Sequence, residues 1–401
     1  MSHVAQVALS EVCTQDRTSI RPGEEDNLAY LGLEGIEAET GRFANGSLSK
    51  TPEAPAAMSF RFDPRHVLYG KLRPYLNKVA LPASAGKCST EIIPLLPGPM
   101  IDRSFLAYFL RTESTVALIT ERSSGARMPR ADMAHVLSLR MPLPALEEQR
   151  QIVDVLTRAE GIVRLRREAQ RKAAELIPAI FIDMFGDPAE PPGRWPVVPL
   201  GELIASGPSN GLYKHKSAYG QGTPILRIDA FYDGAVRDLG ALKRVTLDGA
   251  DELCRFELHE GDIVINRVNS PEYLGKSALI PALPERMVFE SNMMRLGLDL
   301  TRVLPTYVIE LLQTAHARGH FLAHAKHAIN QSSINQQDVK SLLVPVPPMA
   351  LQETFAARRE SALAIARQQV SALATAQATF NALLARAFAP GMLPAQAAAT
   401  A

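Results

Sequence analysis

Internal repetition constrains this 401-residue chain more than any other feature. Displaced by 203 positions, the second half falls on the first: Pro142-Leu143-Pro144 lands on Pro345-Val346-Pro347 and Gln149 on Gln352. Ile152 then meets Phe355, Val163 meets Ala366, Ile177 meets Phe380, Phe181 meets Leu384 and Phe185 meets Phe388. The match runs without a gap over roughly sixty residues, which is the signature of one structural unit built twice. Upstream it continues with small insertions. HVLYGKL (66–72) resembles DIVINRV (262–268), and YLNKVAL (75–81) resembles YLGKSAL (273–279). CSTEIIPL (88–95) resembles ESNMMRLG (290–297), and VALSEV (7–12) matches VPLGEL (198–203).

Each copy opens with short strand-like runs, such as GTPILRI (222–228) and FELHEGDIVINRV (256–268), broken by Gly, Pro and Asp turns. A helix follows, SFLAYFLRTEST (104–115) or PTYVIELLQTAHA (305–317), and then a polar loop. A short strand next ends in Pro-x-Pro, where the missing amide hydrogen and fixed φ stop regular structure. Last comes a long amphipathic helix, about 146–185 or 349–389. The expected class is α+β: two pseudo-repeated mixed α/β heads, 1–144 and 200–347, separated by two long helices, 145–186 and 348–389, forming an antiparallel coiled coil. Residues 187–199, with Pro188, Pro191, Pro192, Pro196 and Pro199 around Gly193, read as a linker, and 390–401 as a frayed tail.

Both long helices carry a sustained seam. Ile152, Leu156, Ala159, Val163, Arg167, Gln170, Ala174, Ile177, Phe181 and Met184 recur at three- and four-residue steps. Phe355, Arg359, Ala362, Ala366, Val370, Leu373, Gln377, Phe380, Leu384 and Ala387 occupy the same offsets, a pattern for helices that pair lengthwise. Arg167 and Gln170 interrupt the first seam, and Gly161 and Pro178 lie inside it, with a kink expected near Pro178. Forty residues of helix span roughly 60 Å. An antiparallel pair would hold two heads apart about an approximate two-fold axis, as a caliper for two half-sites on one duplex. An ordinary dimerising coiled coil with no metric role fits the same pattern. Candidate partner-docking positions on the helices are Ile152, Leu156, Val163, Ile177, Phe181, Phe355, Leu373, Phe380 and Leu384.

Recognisable catalytic spacing is missing. The sequence has no GxxxxGK[ST] loop, no GxGxxG after a strand, no Asn-Pro-Pro-aromatic tetrad, no HExxH and no GxSxG. Cys13, Cys88 and Cys254 lie far apart and form no CxxC, which argues against a disulfide framework or zinc knuckle and fits a reducing cytoplasm. No signal peptide or membrane span is apparent. A net charge of +1 decides nothing about nucleic acid, since local basic surfaces suffice. His316, His320, His324 and His327 recur at helical spacing. They could bind a metal, face phosphate, or form an ordinary solvated face.

Two polar loops occupy the same place in both copies. ERSSGARMPR (121–130) offers Arg122, Ser124, Arg127 and Arg130, and AKHAINQSSINQQD (325–338) offers His327, Asn330, Gln331 and Asn335. Arg reads guanine edges bidentately, whereas Asn and Gln read adenine, so equivalent loops with diverged donors suit two readers of different half-sites. Taken singly, either loop could be polar with no special role. Further candidates lie at turns: Lys71, Arg73, Tyr75 and Lys78 in GKLRPYLNK (70–78), and Arg267, Asn269 and Lys276 in NRVNSPEYLGK (266–276). Tyr213, Lys214 and Lys216 stand in GLYKHKSAYG (211–220). These cations would mostly hold phosphates and set register. Lys78 and Lys276 could instead be plain exposed strand ends.

YGKLRPYLNKVAL (69–81), PLPALEEQRQIVDVL (142–156), FIDMFGDP (181–188), WPVVPLGEL (195–203) and VPVPPMALQETF (344–355) together carry a resemblance over nearly the whole chain. It resembles the DNA-specificity subunit of type I restriction–modification systems. That resemblance implies two target-recognition domains, each reading one half of a split, asymmetric sequence in double-stranded DNA. It also implies paired helices that set the gap and dock two methyltransferase subunits, which bring S-adenosylmethionine, and a motor-nuclease subunit for restriction. The chain itself would be non-catalytic, with no cofactor or metal of its own. LQETFA at the start of the second helix departs from the LEEQRQI of the first, as does that helix's richness in Ala and Gln. A scaffold whose heads bind protein is the rival reading, and a self-contained nuclease or methyltransferase a third.

Overall fold

A computed structural model describes residues 5–24, 27–44, 57–190, 193–328 and 331–389. The tail at 390–401 and Asn330 lie outside the described residues. The long helices run unbroken over Leu146–Phe185, through Gly161 and Pro178, and over Met349–Ala387. Contacts divide the chain into two units, Met1–Glu168 with Val370–Ala401, and Ala169–Gln369. Each unit therefore holds one head and half of each helix, where the sequence suggested a head followed by its own helix. Antiparallel pairing is the physical reason: the last turns of each helix pack in the unit of the other copy's head.

In unit 1 the central sheet runs in the order Cys13–Gln15, Ile92–Pro97, Val67–Gly70, Val79–Ala80. A second sheet joins Ser19–Ile20, Ser59–Phe62, Gly86–Ser89 and Tyr30–Leu31. Helix Arg103–Leu110 covers the core, and Phe380 and Leu384 of the second long helix close it with Phe388 just beyond its end, the Phe105 and Phe388 rings lying 4.8 Å apart. Arg167, a polar break in the seam, donates to Gln377 Oε1 at 2.9 Å, so the break is satisfied within the helix pair.

Unit 2 repeats the arrangement. Ile204–Asn210, Met293–Leu298, Ile263–Asn266 and Ser277–Leu279 follow the same order, extended by Gly234–Val236 and Phe231–Tyr232. Phe181 and Phe185 from the end of the first long helix pack on Tyr307 and Phe355, with centroids 4.8–5.6 Å apart. Burying such rings stabilises each core by roughly 2–3 kcal/mol apiece. A buried glutamine ties head to helix in both units. Gln149 accepts from the Asp102 amide (2.7 Å) and donates to the Pro144 and Met100 carbonyls. Gln352 accepts from the Leu304 amide (2.8 Å) and donates to those of Pro347 and Arg302.

Several local expectations change. Each long head helix is two: Arg103–Leu110 then Glu113–Glu121, and Pro305–Leu312 then Ala315–His324. Thr112 and Thr314 cause the breaks by capping the second helix, each side chain accepting from the amide three residues on. Of the strand-like run 256–268, Phe256 ends the helix Ala250–Phe256 and Ile263–Asn266 is strand. Val197–Pro199, read as linker, pairs with Leu343–Pro345 as Gln6–Ala8 pairs with Arg140–Pro142, so it belongs to the second head. The 88–95/290–297 alignment slips by one. Gly70 faces Ile92 and its counterpart Asn266 faces Met293, so Ile92 matches Met293, not Met294. A one-residue slip would invert every side chain on that strand. The left-handed turn before each lysine is made by Asn77 (φ 49°) and by Gly275 (φ 75°), where a Cβ would lie 2.3 Å from the Phe321 ring.

Candidate nucleic-acid interface

In unit 1, strand Val67–Gly70 runs into Lys71-Leu72-Arg73, and the loop at 121–130 folds back beside it. The Lys71 carbonyl accepts from the Ala131 amide at 2.8 Å, and the Arg73 amide donates to Pro129 O at 2.6 Å. Ser124 and Arg130 exchange both backbone hydrogen bonds (3.0 and 2.8 Å), closing a hairpin whose turn Gly125 makes at φ 104°. Arg73 is itself left-handed, at φ 51°, a conformation rare outside glycine. Residues some fifty positions apart in sequence thus form one edge, on which Arg73, Arg122, Ser124 and Arg127 are exposed. Tyr75 is exposed on the following turn. Two of the expected cations are partly neutralised. The Arg130 guanidinium chelates the Glu91 carboxylate at 2.9–3.1 Å, and Lys71 Nζ lies 4.0 Å from the same group.

Unit 2 builds the same edge with other chemistry. The Arg267 carbonyl accepts from the Ile334 amide at 2.9 Å, and Val268–Asn269 pairs with Gln331–Ser333, which pairs in turn with Lys326–Ala328. Leu72 faces Arg130 while its counterpart Val268 faces Ser333, so those two positions correspond. Ser333 also faces Lys326, which therefore matches Ser124. The second hairpin is one residue longer, and Ser124 does not fall on His327 as a constant shift of 203 would have it. Asn292 occupies the place of Glu91, so no carboxylate neutralises this edge at that point; Arg267 donates to Ser291 O at 3.2 Å. Gln331 is exposed, and His327 Nδ1 hydrogen-bonds Ser332 Oγ at 2.9 Å. Asn210, Arg267, Asn335, Gln336, Gln337 and Lys340 line an open groove alongside.

Other expected contacts have internal partners. Lys78 Nζ donates to Leu33 O at 2.8 Å, and its counterpart Lys276 to Ile228 O at 2.6 Å. Lys276 also lies over the Tyr232 ring at 3.9 Å. Burial pushes both lysines below the ordinary value, and both brace the head beneath the edge. Lys214 is held by Asp248 (2.6 Å) and Glu252 (2.8 Å), whose hydrogen bonds raise its pKa. Asn335 caps helix Gln336–Lys340, accepting from the Gln337 amide at 2.7 Å, as Asp132 caps Met133–Ser138. Asn269 Oδ1 accepts from the Ser270 amide. Tyr213 is exposed. Lys216 joins Arg227, Lys243 and Arg244 around a separate cleft with Tyr219, although Arg227 and Arg244 pair with Glu290 and Glu285.

The histidines of helix Ala315–His324 make internal hydrogen bonds. His316 and His320 donate to the Leu343 and Asp338 carbonyls (3.0 and 2.9 Å), and His324 Nδ1 donates to His320 O at 2.8 Å. Desolvation lowers the His320 pKa, and no grouping able to hold a metal occurs among the described residues. The helix positions expected to meet partners serve the chain's own cores. Ile152, Leu156, Val163, Phe181, Phe355, Phe380 and Leu384 are buried, and Ile177 and Leu373 pack against them. A seam that pairs cannot also face outward; Val155, Ile162, Leu165, Ile182 and Ile365 are exposed apolar residues on these helices, and so is Val370, which the sequence placed in the seam. Asn210, Lys340 and Lys243 escaped the sequence reading because none lies in a repeated polar loop. The Asn-Gln-Gln run at 335–337 lies beside Asn210 and Lys340, and Lys216 beside Lys243.

Residues 77–174 match the model of the type I restriction modification DNA specificity domain. The chain is 32% identical over 167 residues to the proposed MjaX type I specificity subunit of Methanocaldococcus jannaschii, covering 42% of this chain and 39% of that relative. It is 26% identical over 319 residues to the StySPI specificity subunit of Salmonella potsdam and equally to the EcoKI specificity subunit of Escherichia coli, covering 75% of this chain and 68% of each. In fold it matches a chain of a type I R-M system studied for complex assembly and conformational transition (TM-score 0.63, 20% identity, 98% and 99% coverage). It also matches the type I S subunit of M. genitalium (TM-score 0.54, 14% identity, 97% and 96% coverage). No helix among the described residues is long and apolar enough to cross a membrane. With its repeated sheet order, paired Gln anchors and long helices, the chain is similar in sequence and in fold to DNA-specificity subunits of type I restriction–modification systems.

Proposed function

We propose that this chain is the non-catalytic DNA-reading subunit of a type I complex, in which each head reads one half of a bipartite, asymmetric site. The observation that carries the reading is the pair of edges. A frame shared by the two copies (strand exit, returning hairpin, capped helix) presents Arg73, Arg122 and Arg127 in one, and Arg267, Gln331, Gln336 and Gln337 in the other. Arginine forks match guanine in the major groove and amides match adenine, so the two edges suit different sequences. The paired helices fix the gap between half-sites, and their exposed apolar residues dock two methyltransferase subunits carrying S-adenosylmethionine, with a motor-nuclease joining for restriction.

Co-purification with a type I methyltransferase subunit of the same organism, followed by genome-wide mapping of methylated adenines, tests this. A two-part motif with a fixed gap supports the reading. A continuous motif, or methylation indifferent to this chain, overturns it in favour of a protein-binding scaffold.

A further inference from the structure

The repeat duplicates the anchors, the sheets and the edges, but one recess in unit 1 is lined by residues that the second copy does not keep. Between the loop Glu39–Arg42 and the two helix halves of that unit lies a recess of about 220 Å³. Four guanidiniums line it, those of Arg42, Arg111, Arg164 and Arg167, against two carboxylates, those of Glu39 and Glu160. Arg111 is 8% exposed; its Nη2 donates to the Glu39 carbonyl (3.0 Å) and to Glu160, while its Nε is buried without a hydrogen bond. Arg164 has no carboxylate partner among the described residues. Val163 and Phe380 supply an apolar wall. At the corresponding positions the second copy has Gln313 for Arg111, Leu363 for Glu160 and Val370 for Arg167.

Gly161 gives an independent sign. It sits in the middle of a forty-residue helix, where glycine costs about 1 kcal/mol relative to alanine. A packing reason is missing, because a Cβ there would meet nothing within 4 Å. Its open side faces the recess. The second copy has Ala364 at this position.

We propose that the recess binds a small oxyanion, of the phosphate or carboxylate class, held by Arg111, Arg164 and Arg167 and admitted against the helix backbone by Gly161. The recess is smaller than an ordinary ligand pocket, so it takes a single anionic group rather than a whole cofactor. Bound there, the anion bridges the 39–42 loop to both helices and stiffens the first unit only.

The test uses the full chain, with sodium phosphate and sodium acetate as probes, each matched in ionic strength with chloride and read by calorimetric titration and thermal melting. At ten times its Kd the favoured anion raises the melting point of unit 1 by roughly 3–5 °C, saturably. Phosphate alone acting identifies a tetrahedral site, and acetate acting as well identifies a general carboxylate site. Gly161→Leu, which fills the recess, and Arg164→Gln, an exposed change that cannot unfold the core, should abolish the saturable shift. Gly161→Ala, which sets a methyl between the anion and the helix backbone, should weaken the saturable shift while raising the baseline melting point. An equal shift in wild type and both blocking variants marks a general ion effect and overturns the proposal, as does the absence of any saturable response.

Discussion

The two units share a frame and differ at the point where head meets helix. In unit 1, Tyr108 donates to Glu160 at 3.0 Å, and Arg111 reaches the same carboxylate at the rim of the core. Unit 2 replaces Tyr108 by Glu310 and Leu156 by Arg359, which form an ion pair at 2.7 Å with less than a tenth of either side chain exposed. Burial raises the Glu310 pKa while Arg359 pulls it down. Around these different junctions the Gln149 and Gln352 anchors are alike almost atom for atom. Evolution of such a repeat can exchange the polar chemistry of a junction provided each buried group keeps a partner, because it is the unpaired charge, not the pair, that is costly.

The strongest way to break this comparison is to trade the junctions. Arg359→Leu alone strands Glu310 and should cost unit 2 about 3–5 kcal/mol. Adding Glu310→Tyr, which installs the pair of unit 1, should recover most of that loss in urea melts. A double variant no better than the single one would show that the two junctions are not equivalent positions. Next in size, Gln149→Ala and Gln352→Ala should each cost about 2–3 kcal/mol by stranding a buried amide and two carbonyls. Hydrogen exchange should place the first loss in unit 1 and the second in unit 2.

Smaller effects separate readers from braces. Arg127→Ala should cost about 1–3 kcal/mol of DNA affinity for one half-site only, without altering the melting point. Lys276→Met should do the reverse, lowering stability while the salt slope of DNA binding stays unchanged, because its ammonium is spent on Ile228 O. The smallest contrast is in pH. Hydrogen bonds from Arg65 lower the Asp63 pKa, so the folded state binds fewer protons than the unfolded one, and this stabilisation of unit 1 is lost as pH falls through the acid range. Glu310 shifts upward, so its contribution in unit 2 declines instead as pH rises past the ordinary glutamate value. Asp63→Asn should flatten the first trend in pH-dependent urea melts and Glu310→Gln the second.

How much of this was legible in the sequence follows from periodicity. The constant offset from Pro142 to Phe185 is carried by a helix, whose 3.6-residue period tolerates no insertion without turning its face, so the alignment there was secure. Strand registers and hairpins accept single insertions, which is why the 92/293 match slipped and the second hairpin gained a residue unnoticed. The seam residues read correctly as apolar, but a sequence cannot say whether an apolar stripe meets its own chain or another; here Phe355 and Phe380 meet their own. Lysines 78 and 276 looked like phosphate contacts because their type and turn position fit. Only the structure shows the carbonyls of Leu33 and Ile228, which lie about 45 residues away in sequence. The Asn-Gln-Gln run pointed to the right groove, yet its first member proved to be a cap.

The division of labour between the two edges is best tested by methylation. Wild-type chain, Arg127→Ala and Gln331→Ala should each be expressed with a type I methyltransferase subunit of the same organism in a host lacking other adenine methylation, and methylated adenines mapped genome-wide. The account requires a two-part motif in the wild type, with Arg127→Ala relaxing bases in one half and Gln331→Ala relaxing bases only in the other. Relaxation of the same half by both variants, or of both halves by either, would contradict it.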